Sequence, residues 1–405
     1  MNDAPEERRG FAGLHRNVVA LGVTSLLTDI SSEMLVPIVP LFVTATLHAS
    51  VASLGVIEGL AECVASTLRL VSGRLADRVS RRKPFVFAGY ALSGVAKAGM
   101  ALAQSWGAVL GLRFTDRVGK ALRSPPRDAL IADSTADADL GRAFGLHRAM
   151  DTLGAAIGPL VGWWLLSHWQ SLGAEGYRRV FAASAIPAAL ALLVIAVFVR
   201  APRDAAARTA AARAPWRVPA GPFRRFVCVD VVFQLGNSSM AFVLLRTQAA
   251  GWSAGEVSLV YLGYNLLYAL LAYPFGGLSD RIGRRPLLLA SYLLYAVAYA
   301  VFAFLPTRAG VVAGFLVYAV HSALLEGQAK ALIADLVPRE ARASAYGVSA
   351  SLAGLALLPA SIVAGWLWDH AGAASPFVLG AALAAAAALL LAVLLPARGE
   401  GRAHG

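Results

Sequence analysis

Apolar stretches of about 20 residues recur from Val18 to Leu394, separated by short segments dense in Arg, Lys, Gly and Pro. Each is long enough to cross roughly 30 Å of hydrocarbon as a helix. Cutting at charge clusters and Gly/Pro punctuation predicts spans at 17–44, 51–73, 84–104, 106–127, 141–168 and 178–199. A second set follows at 223–247, 254–276, 286–305, 309–333, 341–368 and 374–396. Between the sets, RAPRDAAARTAAARAPWRVPAGPFRR at 200–225 reads as a surface linker. The pattern predicts an all-α membrane protein of twelve transmembrane helices. Two six-helix bundles, 1–200 and 223–405, are expected, with a cytoplasmic linker at 201–222 between them.

Composition agrees. The 405 residues are 58% apolar and 15% charged, where an ordinary soluble domain carries about 25% charge. Mean hydropathy is +0.63, which excludes a soluble enzyme and a disordered chain. With both termini on one face, about 25 of the 36 Lys and Arg fall on the terminus side, and about four (Arg178, Arg179, Arg246, Arg308) fall opposite. The positive-inside rule then puts both termini in the cytoplasm, in a bacterial inner membrane. Basic loops account for the net charge of +12 through topology and anionic lipid, without nucleic acid. The start, MNDAPEERRGFAGLHRN, has no apolar stretch ending in a cleavage site, so no signal peptide is expected. Cys63 and Cys228 lie in apolar segments of different halves, and neither a disulfide nor a metal site follows from them.

The chain repeats itself at half its length. GRLADRVSRRK at 73–83 returns as GGLSDRIGRRP at 276–286, and ALIAD at 129–133 returns at 331–335. AFG at 143–145 meets AYG at 345–347 at the same shift, about 202 residues. An even number of spans per half makes the two copies parallel. These loops resemble the GxLaDrxGrk pattern of the major facilitator superfamily, through Gly73, Leu75, Asp77, Arg78, Arg81, Arg82 and Lys83. Ser80 departs at the glycine position, which Gly283 keeps in the later copy. The resemblance implies a cytoplasmic gate built from Gly73, Asp77, Arg78 and Arg81 with Asp280, Arg281 and Arg284. Span five carries Gly145, Gly154, Gly158, Pro159 and Gly162, similar to the family's antiporter pattern, with Trp163 in place of the last glycine. Small residues on one stripe let two helices approach closely, and that spacing favours an exporter over a symporter.

Ionisable groups at membrane depth are costly unless paired or hydrated, so each is a functional candidate. At about 1.5 Å per residue, Asp29, Glu62 and Arg117 fall near the midplane, and Glu33, Glu58 and Arg113 nearer the outer third. Asp29 with Glu33, and Glu58 with Glu62, share helix faces, as do Arg113, Arg117 and Lys120. The expectation is a charge network in which acids outnumber arginines, leaving a carboxylate able to exchange protons near neutral pH. Static ion pairs that fix helix register are the competing reading. Asp230 on span seven and Glu326 on span ten extend the list of proton-coupling candidates, and Gln234 and Asn237 add neutral polar groups. Lys97 has no assigned role. His321 reads as a packed, hydrogen-bonded side chain, and the tyrosines between Tyr261 and Tyr295 as an apolar wall in which several face the substrate.

The expected function is secondary active transport by alternating access, as proton-coupled export of a small organic compound. The alternative is transport of an anionic metabolite or chelate, motivated by the arginines of span four. The sequence holds no HExxH, GxSxG, Cys/His pair or Walker A loop, so no enzyme activity, cofactor or metal is expected. The expected partners are substrate, protons and lipid, and members of the family usually work as monomers.

Overall fold

The computed structural model describes residues 14–78, 82–135, 139–200, 221–338 and 341–395, with side chains outside 69–78, 170, 273, 276–277, 279–280, 326–327 and 343. The regular elements are helices. In chain order they are α1 (Arg16–Glu33), α2 (Ile38–Leu41), α3 (Val51–Arg78), α4 (Arg82–Gly99), α5 (Trp106–Asp133), α6 (Leu140–Trp169), α7 (Ala174–Ala183) and α8 (Ala185–Phe198). The second half holds α9 (Pro222–Gly236), α10 (Met240–Ala249), α11 (Ala254–Ile282), α12 (Arg284–Phe304), α13 (Arg308–Leu336), α14 (Arg342–Ala371) and α15 (Ser375–Leu394). Backbone groups in hydrocarbon have no water to bond, so each crossing must satisfy its own N–H and C=O groups as a helix.

Among the described residues, eleven helical stretches are long and apolar enough to cross a membrane, by length and composition. The twelfth crossing is α5, which is 28 residues long but carries Arg113, Asp116, Arg117, Lys120, Arg123 and Arg127. Hydropathy dilutes there because this helix turns charge toward protein. Asp116 and Arg123 are both buried.

Among the described residues, three spans are interrupted. Span one breaks at residues 34–37 between α1 and α2, then finishes as a π-helix at Phe42–Thr46. Span six breaks at Ser184, between α7 and α8. Span seven breaks at Asn237, and Ser239 caps α10 by accepting from the Ala241 N–H at 3.2 Å. The breaks of spans one and seven stand one repeat apart, about 202 residues. Backbone oxygens freed at the second break are taken by buried tyrosines. Tyr295 donates to Gly236 O at 3.0 Å and Tyr299 to Ser238 O at 3.5 Å. Gly283, ahead of α12, has φ of 90°, a conformation that leaves room for hydrogen but not for a β-carbon.

Contacts divide the chain into two compact units, Met1–Phe42 with Thr67–Ala212, and Val43–Ser66 with Arg213–Gly405. In the first, α1 lies against α6 and α8, and α4 against α5. In the second, α12 packs on α13 and α15, α11 on α13, and α9 on α14 and α15. The second unit encloses an aromatic core. Phe233 stacks on Tyr292 with centroids 4.3 Å apart, and Tyr295 stacks on Tyr299 at 4.0 Å.

Cationic side chains serve helix ends in both units. Arg246, 8% exposed, donates to Phe302 O at 2.8 Å and Ala303 O at 3.0 Å, completing the last turn of α12. Arg178 does the same for Ala101 O at 2.6 Å, where α4 runs out.

Candidate transport site

In the first unit the site begins with α1, whose serines and threonines hold one face. Thr24, Thr28 and Ser32 each donate to the carbonyl four residues earlier, at 2.8, 2.8 and 2.9 Å. This back-bonding keeps the hydroxyls satisfied inside an apolar bundle and favours bending. Asp29 and Glu33 are half-buried one turn apart on the same helix.

Glycines of α6 press on that stretch. A β-carbon at Gly154 would stand 2.8 Å from Asp29 Cβ, one at Gly158 would stand 2.7 Å from Glu33 Cβ and 2.9 Å from Met34 N, and one at Gly162 would stand 2.9 Å from Met34 O. The stripe therefore seats both acids and the break that follows them. Pro159 is buried beside it. Gly145 is different, because it is exposed and a β-carbon there meets nothing within 4 Å.

Cations approach from α5. Lys120 and Arg123 lie in the electrostatic reach of Asp29, as does Asp151 of α6. Asp151 also faces His147 Nδ1 at 3.4 Å. Arg113 and Arg117 are half-buried and act on Asp116, a buried carboxylate that accepts from Ser93 Oγ. Arg123 is 5% exposed and stacks over the Tyr90 ring at 4.1 Å. Arg127 bonds Asp128 at 2.8 Å and reaches Ser25 Oγ at 3.4 Å.

The structure thus brings Asp29, Glu33 and Lys120 together. It adds Asp116 and Arg123, which sequence reasoning missed, and gives Lys97 a bonded partner. The signal for Asp116 was present, since any carboxylate inside a predicted span qualifies under the same cost argument. Its position next to Arg117 puts it off the Arg113, Arg117, Lys120 stripe, so face-sharing alone does not select it.

In the second unit, Glu58 is buried and accepts from Ser239 Oγ at 3.4 Å, beside the break of span seven, while Glu62 is half-buried one turn on. Asp230 is buried on α9, with Gln234 Nε2 at 3.4 Å and the Tyr292 side chain as its other electrostatic partner. Asn237 donates to Gln234 Oε1 at 2.9 Å, so the three polar side chains expected on span seven form one chain. The side chain of Glu326 lies outside the described residues. His321 is enclosed, with Nδ1 at 3.0 Å from Ser291 Oγ and 2.8 Å from Ser291 O. Among the described residues no group of three His, Cys, Asp or Glu could hold a metal ion.

Far along the same unit, Asp369 caps α3. Its carboxylate accepts from Val51 N at 3.1 Å and from Ala52 N at 2.8 Å. Below that cap α3 and α14 form a close seam. A β-carbon at Gly59 would meet Leu358 O at 3.0 Å, and one at Gly365 would meet Val51 O at 2.5 Å.

The two repeated sequence blocks turn out to be ends of one interaction. Arg82 pairs with Asp133, and Arg284 pairs with Asp335, so each basic loop is tied to the following ALIAD aspartate of its own half. Arg281 is exposed. Arg81, and the side chains of Gly73, Asp77, Arg78 and Asp280, lie outside the described residues. Exchanging the charges, Arg82→Asp with Asp133→Arg, should restore most of the transport lost in either single variant, each lowered about 3- to 10-fold. Singles that transport at the wild-type rate would remove the pair from the working parts.

The comparisons agree with this architecture. The family model for the Major Facilitator Superfamily matches residues 21–245 and 226–404. An uncharacterised MFS-type transporter of Methanocaldococcus jannaschii is 33% identical over 384 residues, covering 93% of this chain and 94% of that one. The multidrug resistance protein MdtH of Salmonella typhi is 26% identical over 322 residues, covering 78% and 77%. Among solved structures, nucleoside transporter NupG superposes with a TM-score of 0.76 at 14% identity, over 94% of this chain and 100% of that one. The D-xylose-proton symporter does so with a TM-score of 0.70 at 17% identity, over 94% and 98%. At such identities the structures speak for the fold alone, and the sequence matches carry the assignment. A family of transporters rather than an enzyme class accounts for a chain of membrane helices with charges seated inside its first unit, and this chain belongs to the Major Facilitator Superfamily of secondary transporters.

Proposed function

We propose that the protein exports a small organic compound across a bacterial inner membrane in exchange for protons. Residues 1–200 and 223–405 alternate access as two bundles, joined by a cytoplasmic linker at 201–222. The working unit is a monomer with both termini in the cytoplasm. The observation that carries this reading is the seat of Asp29 and Glu33 against Gly154, Gly158 and Gly162. A carboxylate held there by Lys120 and Arg123 loses that attraction when it is protonated. The energy difference between two helix arrangements then depends on the proton, which is what coupling requires. Glu62, Asp230 and Glu326 are the further carboxylates available to the cycle. The basic loops with Asp77 and Asp280 serve as its cytoplasmic gate. The name of one relative, a multidrug resistance protein, supports a small organic substrate.

The test is flux in proteoliposomes with pH gradients of either sign, against cationic, neutral and anionic solutes. Accumulation that reverses with the gradient is expected. Flux indifferent to the gradient would sink the proton reading.

A second reading, transport of an anionic metabolite or chelate in either direction, is favoured by one observation. Arg123 Nε and Nη1 are buried and have no hydrogen-bond acceptor among the described residues. Two orphaned N–H donors on a guanidinium suit a carboxylate or phosphate. Flux of the anionic solutes alone in the same panel would promote this reading over the first.

A further inference from the structure

Lys97 sits on α4, 3% exposed, and its Nζ donates to Ser32 Oγ on α1 at 2.9 Å. Ser32 spends its own hydrogen on Thr28 O, so its oxygen is left to accept from the lysine. Ser32 lies three residues after Asp29 and one before Glu33. On the other side Lys97 faces Asp116 of α5, 7% exposed and held by Ser93 Oγ. A hydrogen bond to Ser32 does not require a charge, and a buried ammonium with its counter-ion is expensive to desolvate. A neutral donor would join α4 to α1 at lower cost, so the retained charge calls for a use.

We propose that Lys97 is a positioning residue for proton coupling: anchored on α1 through Ser32 and neutralised by Asp116, it sets the local field in which Asp29 releases and regains its proton. This rests on Asp29 being the coupling acid. The charged groups around Asp29 are Glu33 on its own helix, Asp151 on α6, Lys120 and Arg123 on α5, and Lys97 on α4. The other helix packed on α1, α8, carries no ionisable side chain. Lys97 is hydrogen-bonded to α1 itself, so its field travels with Asp29 when that helix moves.

The probe is the proton. In reconstituted full-length protein, the infrared band of protonated carboxyls that disappears in Asp29→Asn is titrated against pH. Lys97→Gln alone leaves the Asp116 charge to Arg113 and Arg117 and unbalances a buried cluster, so it is combined with Asp116→Asn, which removes the pair together. Asp29 is among the charges that act on Lys97, whereas those that act on Asp116 are Lys97, Arg117 and Arg113, so the net change at Asp29 is the loss of a cation. The protonated form is then favoured, and the midpoint should move to more alkaline pH by about one unit. Lys97→Arg should leave it in place. A wild-type midpoint in the double variant, with the protein folded, overturns the role of Lys97 alone. Absence of a titrating Asp29 band in the wild-type protein overturns the coupling assignment, and this proposal with it.

Discussion

Asp29→Asn should abolish accumulation driven by a pH gradient, by about two orders of magnitude, while exchange down a substrate gradient continues. An amide keeps the size of the acid and one accepting oxygen but cannot change its charge, so the variant separates coupling from packing. The seat on Gly154 is met by the β-carbon of residue 29, which the substitution keeps, and the fold should be unaffected. Glu62→Gln is the companion variant, made singly and together with the first. Proton-driven accumulation that survives in the double variant would transfer the role to Asp230 or Glu326.

Gly158→Ala should cost about 1–3 kcal/mol and remove transport, which is a large effect for one methyl group. The new β-carbon would meet Glu33 Cβ at 2.7 Å and Met34 N at 2.9 Å. Neither neighbour can rotate away, because one belongs to the backbone and the other is fixed to it. The helices α1 and α6 would have to separate at the position where span one breaks. Gly145→Ala is the control, since a β-carbon there finds open space. It should keep full flux and gain slightly from helix propensity. Thermal unfolding followed by size-exclusion chromatography, with flux on the same preparations, compares the two. Equal behaviour of the pair would show that the stripe is not a close-packed seat.

The fold was legible because the solvent imposes it. Segments as different as 254–276 and 374–396 are both long apolar runs, and hydrocarbon leaves a helix as the way to satisfy their backbone. Span four was found by sequence through its place between punctuated loops, although its charges keep it below an apolar threshold. The repeat was legible too, although the arginines that pair, Arg82 with Asp133 and Arg284 with Asp335, stand one position apart in the repeated motif. The pairing itself was not, because sequence gives positions along a helix and not which side chains meet. The breaks at 34–37 and 237–239 were invisible for another reason. A window of about 19 residues averages over an interruption of three or four. Glu58 illustrates the remaining limit. Its spacing from Glu62 was clear, but its bond to Ser239 joins residues 181 apart in sequence, and no local pattern carries that. Lys97 was noticed without explanation, since its meaning lies in Ser32 and Asp116 on two other helices.

The cap that Asp369 places on α3 joins residues 318 apart in the chain. At ribosomal speeds of roughly 5 to 20 residues per second, the first turn of α3 is synthesised about 15 to 60 s before its capping carboxylate exists. Over that interval the bare N–H groups of Val51 and Ala52, and the glycine face below them, have no finished partner. Water at the membrane surface can serve the N–H groups, but only lipid or the insertion machinery can cover the glycines. Biogenesis of this protein therefore includes a waiting state, in which an early helix sits in the bilayer with its final surface uncovered until the eleventh crossing arrives.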